Sequence, residues 1–129
     1  VKLHICGDIA HLLPGIADSA EQIEELVRLS VAFGAEEIFT EPVNARGAGL
    51  RLTQEALDLH GHHTAAAAVG NVRRRESWAD YVVDLIASVQ RSVRRHSRIE
   101  QLRVLLYPSG LSAQALARIR ADDAGVVWL

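Results

Sequence analysis

Apolar and polar positions along the chain recur with two periods, and the switches between them predict the elements. Lys2 to Cys6 is apolar-rich and bounded by Gly7 and Asp8, which predicts a short strand. Residues 8–18 read as a loop, with Pro14-Gly15 as its turn. Asp18 and Ser19 both suit a helix N-cap, followed three residues on by Glu21 and Gln22 respectively. The predicted helix carries Ile23, Leu26, Val27, Ser30 and Val31 on one face, with Glu21, Glu24, Glu25 and Arg28 elsewhere. Gly34 stops it. Glu37 to Glu41 predicts a second strand, ended by Pro42. Residues 41–49 form a loop with two glycines. Helical character resumes over Leu52 to Leu59, breaks at His60-Gly61-His62-His63, and continues through Ala65 to Ala68.

The strongest periodicity lies next. Trp78, Tyr81, Val82, Leu85, Ile86, Val89 and Val93 make one stripe with a 3.6-residue period, with Ser77 as the expected cap. Asp80 and Asp84 come early and Arg91, Arg94 and Arg95 late, which offsets the helix dipole. Leu102 to Tyr107 predicts a third strand, continuously apolar at Val104-Leu105-Leu106 as in a buried parallel sheet. Tyr107-Pro108-Ser109-Gly110 turns the chain. Ser112 caps a further helix, Asp122-Asp123-Ala124-Gly125 ends it, and Val126 to Leu129 is a fourth strand. Strands alternating with helices predict an α/β fold with a parallel sheet and crossover helices. Function is then expected at the C-terminal strand ends: Cys6 to Asp8, Glu41 to Arg46, and Tyr107 to Gly110.

Composition narrows this picture. The chain has 129 residues and 49% hydrophobic content, enough for one domain with a real core, and residues 1–129 are read as a single unit. A complete eight-stranded barrel needs about 250 residues, so the chain is at most part of one. The 23% of charged residues argues against a disordered tail. No apolar run approaches the roughly 20 residues of a membrane-spanning helix, and no signal peptide opens the chain. Cys6 is the sole cysteine, so no intrachain disulfide forms, and a cytoplasmic setting is expected. A net charge of −2 gives no general pull towards nucleic acid. The chain has no methionine and ends in Gly125-Val126-Val127-Trp128-Leu129. Both features suggest a piece of a longer protein, or a reading frame begun on a valine-coding start codon.

Four clusters could carry chemistry. Glu41-Pro42-Val43-Asn44-Ala45-Arg46-Gly47 sets a carboxylate, an amide and a guanidinium at a strand end. Glu41 could accept from hydroxyls or an amine, Asn44 could donate and accept, and Arg46 could clamp a carboxylate or phosphate. The structural alternative is a Glu41–Arg46 pair pinning a loop. His4 and Cys6, two apart on a strand, share a face where a metal could bridge them, with Asp8 and His11 to complete the set. The alternative is a core thiol beside a strand histidine, with no metal. His60-Gly61-His62-His63 reads as an exposed helix junction, with metal binding as the other option. Arg73-Arg74-Arg75 with Arg91, Arg94, Arg95 and Arg98 could touch a phosphate backbone or line solvated helix faces. No aromatic residues interleave with them as in a stacking groove.

Several stretches, in this order, resemble a known family. Leu12-Leu13-Pro14-Gly15-Ile16-Ala17-Asp18-Ser19 precedes a capped amphipathic helix, and the next strand enters Glu41-Pro42-Val43-Asn44-Ala45-Arg46-Gly47. Trp78-Ala79-Asp80-Tyr81-Val82-Val83, Leu102-Arg103-Val104-Leu105-Leu106-Tyr107-Pro108-Ser109 and Ala121-Asp122-Asp123-Ala124-Gly125-Val126-Val127-Trp128-Leu129 follow. Together they resemble the C-terminal portion of radical S-adenosylmethionine (SAM) proteins of the spore photoproduct lyase-like branch. The resemblance implies a partial (β/α) barrel of about four strands with a C-terminal α/β extension. Residues 1–50 would match late barrel strands, and 51–129 the extension. In that family a C-x3-C-x2-C motif holds a [4Fe–4S] cluster, whose fourth iron binds SAM for reductive cleavage to a 5′-deoxyadenosyl radical. One cysteine cannot supply three thiolates, so no cofactor is expected on this chain alone. The resemblance implies that Asp8, Glu41, Asn44 and Arg46 face the SAM and substrate cavity of a full barrel. It implies as partner the remainder of that barrel, or a second copy, with nucleic acid as a substrate open by analogy. The alternative is a non-catalytic α/β module binding an anionic metabolite or a protein. His4-Ile5-Cys6-Gly7-Asp8 is also similar to the H-x-C-G-D stretch of the uroporphyrinogen decarboxylase and zinc-dependent corrinoid methyltransferase superfamily. Its zinc members add a second cysteine that this chain lacks.

Overall fold

The structure is a computed structural model and describes residues 4–45 and 47–129. Lys2 and Leu3 of the first predicted strand, and Arg46 of the predicted anion clamp, lie outside the described residues. Among the described residues, strands β1 (Cys6–Leu12), β2 (Glu37–Pro42), β3 (Leu102–Leu106) and β4 (Val126–Trp128) form one parallel sheet in the order β1-β2-β3-β4. Helices α1 (Ala20–Ala32), α2 (Gly49–Leu59), α3 (His63–Asn71), α4 (Arg75–His96) and α5 (Ala113–Ala121) connect them. The expected α/β class with a parallel sheet is therefore observed.

The apolar stripes of α1, α4 and α5 converge on one face of the sheet. Ile23 and Val27 of α1, Val82, Ile86, Val89 and Val93 of α4, and Ile119 of α5 share a core with Ile9, Ile38, Leu102, Val104 and Leu106. Along β2 and β3 burial alternates strictly, so the other face bears Glu37, Phe39, Glu41, Arg103 and Leu105, all only half-buried. Cys6 and Asp8 lie on that same outer face, across from Glu37 and Phe39, and both are exposed. No described helix covers it. The helices α2 and α3 instead close a second, smaller core of Val43, Leu50, Val69 and Val72 beyond the end of β2.

Caps follow the local chemistry. Of the two candidate caps of α1, Ser19 is the one used: its hydroxyl accepts from Gln22 N, and the Gln22 side chain accepts from Ser19 N at 3.3 Å. Asp18 instead accepts from Gly15 N at 2.7 Å and closes the Pro14-Gly15 turn. Gly34, at φ 77°, takes the left-handed position just past α1. Ser112 caps α5 through Ala115 N, as its position predicts.

Two predicted boundaries are corrected. The first strand does not end at Cys6 but begins there and runs to Leu12. Gly7 is no turn residue. It lies on the helix side of β1, where a Cβ would come within 2.6 Å of Ser30 Oγ, so α1 sits too close for any side chain. Residues Ile9 and Leu12 then supply the burial that holds the strand. Helix α4 begins at Arg75, with Arg74 at the cap position, and Ser77 lies inside its first turn rather than capping it.

Candidate functional site

A cleft of about 570 Å³ opens at the C-terminal edge of β2 and β3. This is where ligands gather in parallel sheets, and the volume suits a small metabolite. Glu41 and Pro42 end β2 at its wall, Asn44 and Ala45 follow, and Leu105, Leu106 and Tyr107 come from the end of β3. Arg73, Arg75 and Trp78 enter from the start of α4, and Ser109 and Gly110 from the turn after β3.

The start of α4 fixes the rims of this cleft. Trp78 Nε1 donates to Val43 O at 2.9 Å, just past β2, and the Tyr81 hydroxyl donates to Leu12 O, at the end of β1. Burial pushes the Tyr81 phenol up, so it keeps its proton and donates throughout the working pH range. Arg75 Nε donates to Gly110 O at 3.1 Å, tying the turn after β3 to the same helix. Gly110, at φ 98°, lets that turn press on Trp78, whose ring would sit 3.2 Å from a Cβ there. Thr40, buried in β2, donates to Ile9 O at 2.7 Å and locks the two strands together below the rim.

His11 is the unusual residue. The β1–β2 register slips between Ala10 and Leu12, and His11 occupies the irregularity at φ 57°. That conformation is uncommon for any residue but glycine. Bulges bend a strand and re-aim a side chain. Here the imidazole points over the strand end, with Nε2 2.9 Å from Glu41 Oε1. The slip also returns Leu12 to the core. An imidazole–carboxylate pair can pass a proton or grip a hydroxyl. With Arg73 and Arg75 on the same cleft, groups of both signs face a bound molecule.

The predicted site residues are thus divided. Glu41 and Asn44 stand together on the cleft. Arg46 lies outside the described residues, and among the described residues the cations that line the cleft are Arg73 and Arg75. Asp8 is not at a strand end, because β1 continues four residues past it, and it is not on the cleft. His11 does not join His4 and Cys6, being at the opposite end of β1. Glu37 joins them instead: its carboxylate, the His4 imidazole and the Cys6 thiol bring ligand atoms within 4.8 Å of one another. Cys6 is exposed, not a core thiol. Of the histidines at the α2–α3 junction, His63 pairs with Asp58 at 3.1 Å.

Most of the basic residues engage this chain itself. Arg94 grips Asp122 with two hydrogen bonds, at 2.8 and 2.9 Å, Arg95 reaches Glu24 at 2.9 Å, and Arg73 donates to Gln54 at 3.0 Å. Reasoning from sequence missed His11–Glu41 as a pair and Arg73, Arg75 and Trp78 as cleft residues. Trp78 and Tyr81 carried a signal, since both bring a polar handle to an otherwise aliphatic stripe. No helix of the described chain is long and apolar enough to cross a membrane. No protein-family model, no curated protein and no solved structure matches the chain.

Proposed function

We propose that this chain is the C-terminal part of a radical SAM protein of the spore photoproduct lyase-like branch. It supplies late barrel strands, one wall of the SAM and substrate cavity and a C-terminal extension, and it does no chemistry without the part that carries the cluster. The observation that supports this best is the one-sided sheet. Four parallel strands in sequence order, with helices α1, α4 and α5 on a single face, have the winding of a barrel segment. All-parallel sheets occur almost only with both faces covered. The bare face of Glu37, Phe39, Arg103 and Leu105 therefore calls for a second body, which in a barrel is the interior filled by the remaining strands.

The cluster itself does not fit these residues. Cys6 is the sole cysteine and lies at the edge of the sheet away from the cleft, so no step is routed through iron and sulfur here. SAM fits better. Its amino-acid carboxylate would take Arg73 or Arg75, and its ammonium and ribose hydroxyls would take Glu41 and Asn44, all on one cleft. The cations also support a second reading, a non-catalytic module that holds an anionic metabolite in the cleft.

The test is to read the frame upstream of Val1 and to express the longer chain. An in-frame C-x3-C-x2-C about 100–200 residues earlier, one domain's length, is expected. The chain so extended, reconstituted anaerobically with iron and sulfide, should form 5′-deoxyadenosine from SAM, and Glu41→Ala should lower that yield. A stop codon directly upstream with no cluster-bearing protein beside it, or a reconstituted chain that leaves SAM intact, overturns the reading. If SAM stays intact yet inorganic phosphate binds the cleft and Arg75→Ala abolishes it, the anion module takes its place.

A further inference from the structure

The N-terminal edge of the bare sheet face carries a second cluster, far from the cleft. Cys6 and Glu37 are direct register partners on β1 and β2, and His4 stands two residues before Cys6. The segment is held in place because Glu36 N donates to Ile5 O at 2.7 Å, continuing the β1–β2 ladder past Cys6. An imidazole, a thiol and a carboxylate thus meet with their ligand atoms within 4.8 Å of one another.

The surroundings hold two of these groups in a ligating pose. His4 Nδ1 lies 3.2 Å from Glu36 Oε2, and His4 Nε2 lies 3.1 Å from Glu37 Oε2. Nδ1–H donates to Glu36 and Nε2–H to Glu37, so an ion that displaces the Nε2 proton meets that lone pair already aimed at the cluster. Glu37 is anchored likewise: its other oxygen, Oε1, accepts from Arg103 at 2.9 Å. Arg103 is fixed in turn by the carbonyls of Glu100 and Leu102, at 2.6 and 2.8 Å. Metal-binding histidines characteristically give their second N–H to a carboxylate, and ligating carboxylates are themselves hydrogen-bonded. Both features are built here before any ion arrives.

We propose that His4 Nε2, Cys6 Sγ and Glu37 Oε2 form a zinc-class metal site, with Glu36 and Arg103 orienting the ligands and a fourth position open to water. The spacing agrees. Two ligand atoms each about 2.0 Å from a tetrahedral ion are roughly 3.3 Å apart, close to the separation between His4 and Glu37. The thiol, on an exposed strand residue, closes the remaining gap by rotating about χ1. A mixed sulfur, nitrogen and oxygen set favours zinc over calcium or magnesium, which take oxygen alone. On binding, the Cys6 S–H bond and the His4 Nε2–H bond break, both protons go to solvent, and metal–sulfur and metal–nitrogen bonds form. No electron is transferred.

The test uses the purified chain in a phosphine reductant, titrated with Zn²⁺ against a chromophoric chelator and with Co²⁺ by absorption. One ion per chain is expected. Cobalt should give strong tetrahedral visible bands and a thiolate charge-transfer band in the near ultraviolet. Cys6→Ser should remove the charge-transfer band, and His4→Ala should abolish tight binding. Glu36→Gln should keep the spectrum while weakening affinity about 10- to 100-fold, as loss of an outer partner does. These residues are surface-exposed or half-buried, and unchanged circular dichroism would show that the variants fold. A pale octahedral cobalt spectrum, half an ion per chain, or binding that survives His4→Ala with Cys6→Ser and vanishes with His62→Ala and His63→Ala overturns the proposal.

Discussion

Replacing His11 by glycine and by alanine separates backbone strain from side-chain chemistry at the bulge of β1. Both variants lose the His11–Glu41 pair, so its contribution cancels between them. That contribution is small in any case, about 0–1 kcal/mol, because the two side chains are 62% and 36% exposed. What remains is the backbone. At an ordinary strand position alanine is more stable than glycine by roughly 0.5–1 kcal/mol, since glycine loses more freedom on folding. At φ 57° the sign reverses. A side chain in the left-handed region costs roughly 1–2 kcal/mol, and glycine escapes it. Subtracting the entropic term, midpoint from midpoint, leaves His11→Gly more stable than His11→Ala by about 0.75 kcal/mol. Urea unfolding with a common m-value reads the difference as a shift in midpoint. Alanine equal to or better than glycine would show that His11 is not held left-handed and that no bulge aims its ring at Glu41.

Three further outcomes test the packing and the charges. Ser92 Oγ is buried on the inner side of α4 and has no hydrogen-bond partner among the described residues, so Ser92→Ala should raise stability by about 1 kcal/mol, seen as a higher Tm. A lower Tm would mean that the hydroxyl is satisfied. Gly7→Ala should cost about 1–3 kcal/mol by overpacking β1 against α1, and Ser30→Ala should not rescue it, because Ser30 Cβ itself stands 2.8 Å from the new methyl group. Full rescue would place the clash on the hydroxyl alone. Hydrogen bonds from His96 and then Arg95 hold the Glu24 carboxyl below its usual range, and those from Arg94 do the same for Asp122. Carboxyls lowered in the folded state stabilise it above the ordinary carboxylate pKa of about 4 and lose that effect as pH falls through the lowered values. Urea midpoints should therefore drop on acidification, less steeply in Glu24→Gln and Asp122→Asn. Profiles that superimpose on the parent chain would remove both pairs from the acid response.

The local periods carried most of the fold because they report what each residue does within its own element. The stripe from Trp78 to Val93 reads as a helix face and is one, and Ile38, Leu102 and Val104 pack where apolar strand residues must. The failures share a non-local cause. Gly7-Asp8 has the composition of a turn, yet Gly7 is small because a helix some twenty residues away in sequence presses on it. Arg73 and Arg75 reach the cleft only because α4 crosses the ends of β1 and β2, which no local pattern encodes. His4 and Cys6 were legible as a pair because a strand places alternate residues on one face. Glu37 was not, since it joins them through the register of β1 against β2.

That register also keeps the two clusters apart. Glu37 and Glu41 lie on the same face of β2, four residues from each other, so about 13 Å separates them at the rise of roughly 3.3 Å per residue of a parallel strand. Ligand bonds to a zinc-class ion are about 2.0–2.3 Å long, so an ion at Glu37 cannot also be ligated by Glu41. Metal binding at one edge and ligand binding at the other should therefore respond to different substitutions. Loss of Glu37 should leave the cleft's affinity unchanged, and loss of Glu41 should leave the cobalt spectrum unchanged. A variant at either position that moved both readouts would mean that the sheet transmits strain between its edges, and the two proposals would then have to be joined.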